Sequence, residues 1–220
     1  MRIPIILLFV LFIATAALLG ESNEAAFEMK QTLEPKPLIV PAAANHSPLT
    51  SGEKFNFYLN AAVGPASIFS SAFSSGYNQA FNTIPEWGQG MEGYGKRFAS
   101  SMGQKAIDKM VCSSLRILLR EDPRYFYSDK HSFKSRIFHA IGETFVAHKD
   151  SGGRRPDYAY FAGVTSSVYI SRQWRPESYR NAREYVTGMS VSIGAQSAKN
   201  IFLEFWPDIK KLLPGTKSSK

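Results

Sequence analysis

Apolar residues recur four apart along most of the chain after residue 50, and this spacing predicts helices. Thr50-Ser51-Gly52-Glu53 reads as a capping box, with a hydroxyl at the N-cap and a carboxylate three residues on. A helix is predicted to start there and run through "FNFYLNAAVG". Pro65 breaks or kinks it, and "ASIFSSAFSSGYNQAFN" resumes. A second helix is predicted from Tyr94 to Arg120, on a stripe of Tyr94, Phe98, Met102, Ala106 and Met110 widened by Ile107, Val111, Leu115 and Leu118. Asp122-Pro123 ends it, because a residue before proline avoids the α region. A third is predicted over 132–149, on Phe133, Ile137, Ile141 and Phe145. Ser151-Gly152-Gly153 is a turn. Asp157 caps a fourth helix that continues to Trp174. The fifth starts near Pro176 and runs to Phe205; Pro207 interrupts it, and a short terminal helix stops at Pro214-Gly215. Small residues also recur at this spacing: Gly95, Ala99 and Gly103; Gly188 and Ser192; Gly194 and Ala198. Such stripes let helices approach closely. The pattern predicts an all-α domain of about five helices, closely packed through small residues. The alternative is a β-rich, outer-membrane-like chain with "SSVYISRQW" as a strand; the long four-residue stripes and scarce tight turns weigh against it.

The first 48 residues differ in character. Arg2 precedes an apolar stretch, Ile5 to Leu19, and Ala14-Thr15-Ala16 fits a cleavage site, so residues 1–20 read as a secretory signal peptide. Residues 21–48 are polar, then rich in Pro and Ala, and read as a linker. The domain is expected over 49–214, with a polar tail at 215–220. No segment after the signal has eighteen apolar residues free of charge, so no transmembrane helix is predicted; surface association or partial insertion stays open. Export to the periplasm or cell envelope changes the meaning of the +8 net charge. It makes nucleic acid an improbable partner and points to anionic lipid or another envelope polyanion. The single cysteine, Cys112, lies in an apolar-periodic run and reads as a buried thiol.

"PEWGQGMEGYGKRF" contains Gly88-x-Gly90-x-x-Gly93, the spelling of a dinucleotide loop. Its context fails: no strand precedes it, and Asp108, the nearest later carboxylate, sits in helical pattern. It reads as a turn feeding a close-packed helix and binds no nucleotide. Lys96 and Arg97 beside that helix start are anion-binding candidates. His139 and Glu143 share a helix face, as an oriented general base requires, and are the catalytic candidates. Arg136 and Arg155 would then hold a phosphate. No metal site is predicted, since two ligands fall short of the three or four that zinc needs and no H-E-x-x-H occurs. No cofactor is implied. "LLREDPRYFYSDKHSFKSR" interleaves Arg120, Arg124, Lys130, Lys134 and Arg136 with Tyr125, Phe126 and Tyr127. It suits a membrane surface, or an aromatic cap on the bundle with solvated charges.

Taken together, "PEWGQGMEGYGKRF", "EDPRYF" and "FWPDIKKLL" resemble an uncharacterised family of exported proteins from environmental bacterial genomes. The resemblance covers about Leu49 to Leu213 and implies a coherent domain; it carries no activity. The expected function is a non-enzymatic structural or binding module at an anionic envelope membrane. The alternative is a hydrolase of an envelope lipid or phosphoester.

Overall fold

The computed structural model describes residues 39–41, 47–129 and 132–212. The expected signal, most of the linker and the tail lie outside them. The fold is all-α. The described helices are α1 (Ser51–Val63), α2 (Pro65–Ala80), α3 (Gly90–Leu119), α4 (Phe133–Gly142), α5 (Tyr158–Ser171) and α6 (Ala182–Leu212). Five short strands accompany them: β1 (Ile39–Pro41), β2 (Glu121–Asp122), β3 (Tyr125–Tyr127), β4 (Val146–Lys149) and β5 (Arg154–Pro156). β1 pairs parallel with β3, so the end of the predicted linker is a strand. β2, β4 and β5 form an antiparallel sheet with β4 in the middle.

Local chemistry sets most helix ends. Thr50 Oγ1 accepts from Glu53 N–H, and Glu53 Oε2 accepts from Thr50 N–H at 2.9 Å. Pro65 starts α2 at its first position, where no N–H is needed. Asp157 Oδ1 accepts from Tyr160 N–H at 2.9 Å and caps α5. Other ends differ from expectation. α3 begins at Gly90 and stops at Leu119, with Arg120 in the left-handed region (φ 54°) before β2. The third helix stops at Gly142, and residues 146–149 are a strand. Gly152 and Gly153, both at positive φ, close a hairpin that pairs His148 with Arg154. Pro176 opens only a 3-10 turn (Glu177–Tyr179); Asn181 then caps α6 by accepting from Glu184 N–H at 3.0 Å. α6 passes through Pro207 to Leu212. Arg136 grips that turn, donating to the Glu204 carbonyl and, at 2.6 Å, to Asp208 Oδ2.

An amphipathic helix of a water-soluble protein turns its apolar stripe inward. α2 does the reverse. Ser67, Ser71 and Ser75, four apart, are buried, the last two with no exposed surface. They face α3: Ser71 and Ser101 hydroxyls lie 3.3 Å apart, and Lys105 reaches the Ser67 carbonyl at 3.2 Å and Ser70 Oγ at 2.6 Å. Phe69 (75 % exposed), Phe73 (71 %), Tyr77 and Phe81 point outward. α4 follows the same rule, with Phe133, Phe138 and Ile141 exposed while Ala140 is buried. The apolar core is correspondingly small: Tyr58, Cys112 and Ala159 in one cluster, and Tyr160, Val164 and Val168 in another.

Close approach uses different small residues from those expected. Gly95 has open space around it and Ala99 is exposed; Gly194 is open too. Gly163 is where α3 and α5 meet, since a Cβ there would stand 2.7 Å from Asp108 Oδ1. Gly188 brings α6 against Val168 and Arg172 of α5.

Candidate functional site

The polar interior is concentrated at the two ends of the helical body. The strand end holds matched charges. Glu204, with no exposed surface, accepts from Tyr125 Oη at 2.8 Å, from Ser128 N–H at 3.1 Å and from Arg136 Nε at 3.2 Å. Burial and this carboxylate hold the Tyr125 hydroxyl far above its usual range. Arg155 Nε donates to the fully buried Glu121 at 2.6 Å. Arg124 pairs with Asp122 at 2.5 Å, Lys54 with Asp150 at 2.5 Å, and Arg116 with Asp157. Glu143 meets His148 at 2.7 Å and Arg154 at 3.3 Å.

His139 sits inside this network, not on a solvated face. Its Nε2 lies 2.9 Å from the Phe126 carbonyl and 4.0 Å from both Glu143 and Glu204. A carbonyl only accepts, so Nε2 carries the proton, and a base role would fall to Nδ1. Glu143 is committed to His148 and Arg154. The basic-aromatic segment resolves the same way: Arg124 and Arg136 are ion-paired, Tyr125 is buried, and Phe126 stacks on His148 with ring centres 4.1 Å apart. The structure brings His139, Glu143 and Arg136 into one cluster. It places Arg155 on a separate carboxylate of the same end.

The turn end carries the glycine stretch. Pro85–Trp87 is a 3-10 turn, and Gly88 (φ 71°) and Gly90 (φ 79°) lead into α3. These positive angles suit glycine. The turn aims carbonyls inward, at a guanidinium. Arg97, only 3 % exposed, donates to the Gly88 carbonyl at 2.8 Å, the Ile84 carbonyl at 2.8 Å and Gln79 Oε1 at 2.6 Å. Gly93 leaves room for it, since a Cβ would lie 2.3 Å from the Gly88 oxygen and 2.9 Å from Arg97 Nη1. A nucleotide loop offers N–H groups to an anion; this one offers oxygens to an internal cation. Neighbouring Lys96 is on the surface, paired with Glu92 at 2.6 Å.

The connection from α5 to α6 packs on the same turn. Tyr179 donates to the Thr83 carbonyl, and Ser178 to Glu86 at 2.6 Å. Here Arg172 donates to the Glu184 carbonyl at 2.7 Å, and Arg175 to Gln104 Oε1 at 3.0 Å. Arg180 donates to three carbonyls at the end of α5. Among the described residues none of Arg97, Arg172, Arg175 and Arg180 is within ion-pair distance of a carboxylate. The buried Nε atoms of Arg97, Arg172 and Arg175 have no partner. Burial and repulsion from Arg172 bring Arg175 down to about 10, and burial lowers Arg172. Sequence reading passed over this group, although "SRQWRPESYRNAR" interleaves arginine with Trp174 and Tyr179 just as the 120–136 segment does.

Among the described residues no three His, Cys, Asp or Glu side chains gather where a metal ion could be held. Cys112 is buried, 3.4 Å from Tyr58 Oη, and burial pushes its thiol up, away from thiolate chemistry. No described helix is long and apolar enough to cross a membrane. No family model, curated protein or solved structure matches this chain.

Proposed function

We propose that the protein is an exported, non-enzymatic module of the cell envelope whose helical body associates with an anionic phospholipid membrane. The observation that carries this reading is the polarity of α2, with serines inside and Phe69, Phe73, Tyr77 and Phe81 outside. Exposing a phenylalanine to water forfeits roughly 1.5–3 kcal/mol relative to burying it. A sequence that instead buries serine gains only where the outer surroundings are themselves apolar. Small polar residues between helices and large apolar ones outside are the arrangement that lipid favours. The exposed residues also surround the body: Phe138 on α4, Tyr169 and Ile170 on α5, and Val191 and Phe202 on α6. A protein partner would cover one face, whereas a bilayer interface can meet several. The net charge of +8 suits anionic headgroups. Export rests on the signal-like residues 1–20.

The decisive test is flotation of the full chain with vesicles of phosphatidylcholine, alone or with phosphatidylglycerol. Flotation with both, stronger with the anionic lipid, is expected. A chain that stays at the bottom of the gradient with either composition would remove the membrane reading.

A further inference from the structure

The buried arginines of the turn end go unused in this reading. Taking a guanidinium out of water is unfavourable unless a counter-charge or a full set of acceptors replaces the water. At the strand end, carboxylates do this. At the turn end, Arg172 is 3 % exposed, its Nη2 spends one hydrogen bond on a backbone carbonyl, and its Nε has none. Arg175 is half-buried, held by one amide oxygen, and its Nε is likewise free. The two repel each other. Gly188 permits this placement, since a Cβ there would stand 2.7 Å from Arg172 Nη2. Two adjacent guanidiniums with unspent donors form a receptor for a tetrahedral oxyanion, which accepts from both forks. Trp174, partly exposed, donates its indole N–H to Ser100 Oγ at 3.0 Å and stands between the two arginines in sequence. Tyr169 and Ile170 are exposed one turn away. Aromatic rings beside cations mark headgroup depth.

We propose that Arg172 and Arg175 form a binding site for a phosphate ester, supplied by the headgroup of an anionic phospholipid. The identity of the source rests on the membrane reading above; the site itself does not. Arg97 and Arg180 bind main-chain oxygens around it and hold the two loops that frame it.

The test compares the full-length wild type with Arg172→Gln/Arg175→Gln and with Arg172→Lys/Arg175→Lys. Vesicles are phosphatidylcholine with or without phosphatidylglycerol, and glycerol phosphate is the soluble probe. The wild type is expected to prefer the anionic vesicles by about ten- to a hundredfold, the range of one or two charge-assisted hydrogen bonds. The Gln pair loses that preference and keeps its binding to phosphatidylcholine; the Lys pair retains part of it. Without ligand the Gln pair melts no lower than the wild type, because it removes uncompensated charge. A lower melting temperature with the anion preference intact would show a purely structural role and overturn the site. If the wild type binds no vesicle, glycerol phosphate decides. Raising the melting temperature of the wild type and not of the Gln pair keeps the site and discards the membrane; raising neither discards the site.

Discussion

The strand end and the turn end bury the same side chain under opposite rules. At the strand end Arg116, Arg124, Arg136 and Arg155 each meet a carboxylate: Asp157, Asp122, Glu204 with Asp208, and Glu121. At the turn end Arg97, Arg172, Arg175 and Arg180 meet carbonyls and amides. A matched pair is electrically complete and fixes how elements join; Glu204 ties α6 to β3 and to α4 in this way. An arginine on neutral acceptors keeps its charge and remains available to an anion. The strand end is therefore built to hold, and the turn end to receive. The difference also separates the two functional ideas raised by the sequence. The His139–Glu143 pair lies at the complete end, where each carboxylate already has its cations. The unspent charge lies some thirty residues of helix away.

Breaking the complete end should have the largest effect. Glu204→Ala removes the acceptor for Tyr125, Ser128 and Arg136 and leaves a half-buried guanidinium short of its charge. It should destabilise the protein by about 3–5 kcal/mol, the range for breaking a buried pair by removing one partner. Urea denaturation followed by circular dichroism measures this. A loss below about 1 kcal/mol, the level of exposed pairs, would mean that the strand end is no more than a surface network.

The turn end is tested next by Gly93→Ala. The new Cβ would lie 2.3 Å from the Gly88 oxygen, a backbone atom that cannot swing aside as a side chain can. Moving it takes that oxygen off Arg97. Overpacking of this kind costs about 1–3 kcal/mol. Gly95→Ala, two residues on and facing open space, should stay within about 0.5 kcal/mol or gain slightly from helix propensity. Equal effects at the two glycines would refute the carbonyl cradle.

These two glycines also show what the sequence could and could not reveal. Features written within one turn of chain were readable: the Thr50–Glu53 box, the Asp157 cap, the kink at Pro65 and the turn at Gly88. The spelling of the glycine stretch gave the turn but not its polarity, because whether carbonyls or N–H groups face inward depends on Arg97 arriving from the next helix. The β4–β5 hairpin was missed for a related reason. Residues 133–145 keep a four-residue stripe to the end, and only the pairing of His148 with Arg154 across two left-handed glycines turns the chain into strand. Pro207 looked like a stop because the clamp that supports it, Arg136, is more than sixty residues away. Arg172 and Arg175 went unremarked because a surplus of charge shows only after the carboxylates are assigned to other arginines. Most of all, periodicity identifies a stripe without saying which side of the helix faces the interior. Ser67-Ser71-Ser75 and Phe69-Phe73-Tyr77 are equally regular.

That last ambiguity yields the smallest expected change in stability. Phe73 is 71 % exposed, and Phe73→Ser alters a side chain with few internal neighbours. In water its unfolding free energy should move by no more than about 0.5 kcal/mol, as at an ordinary surface site. Its partition to phosphatidylcholine vesicles should fall by roughly ten- to a hundredfold, matching the 1.5–3 kcal/mol of one phenylalanine removed from an apolar layer. Unlike the arginine pair, it should weaken binding to neutral and anionic vesicles by the same factor, so the ratio between them stays fixed. The opposite face gives the opposite result: Ser75→Leu, with no exposed surface to spare against α3, should destabilise by about 1–3 kcal/mol. If Phe73→Ser instead unfolds the protein, the aromatic face belongs to the interior, and the inverted polarity on which the membrane reading rests is gone.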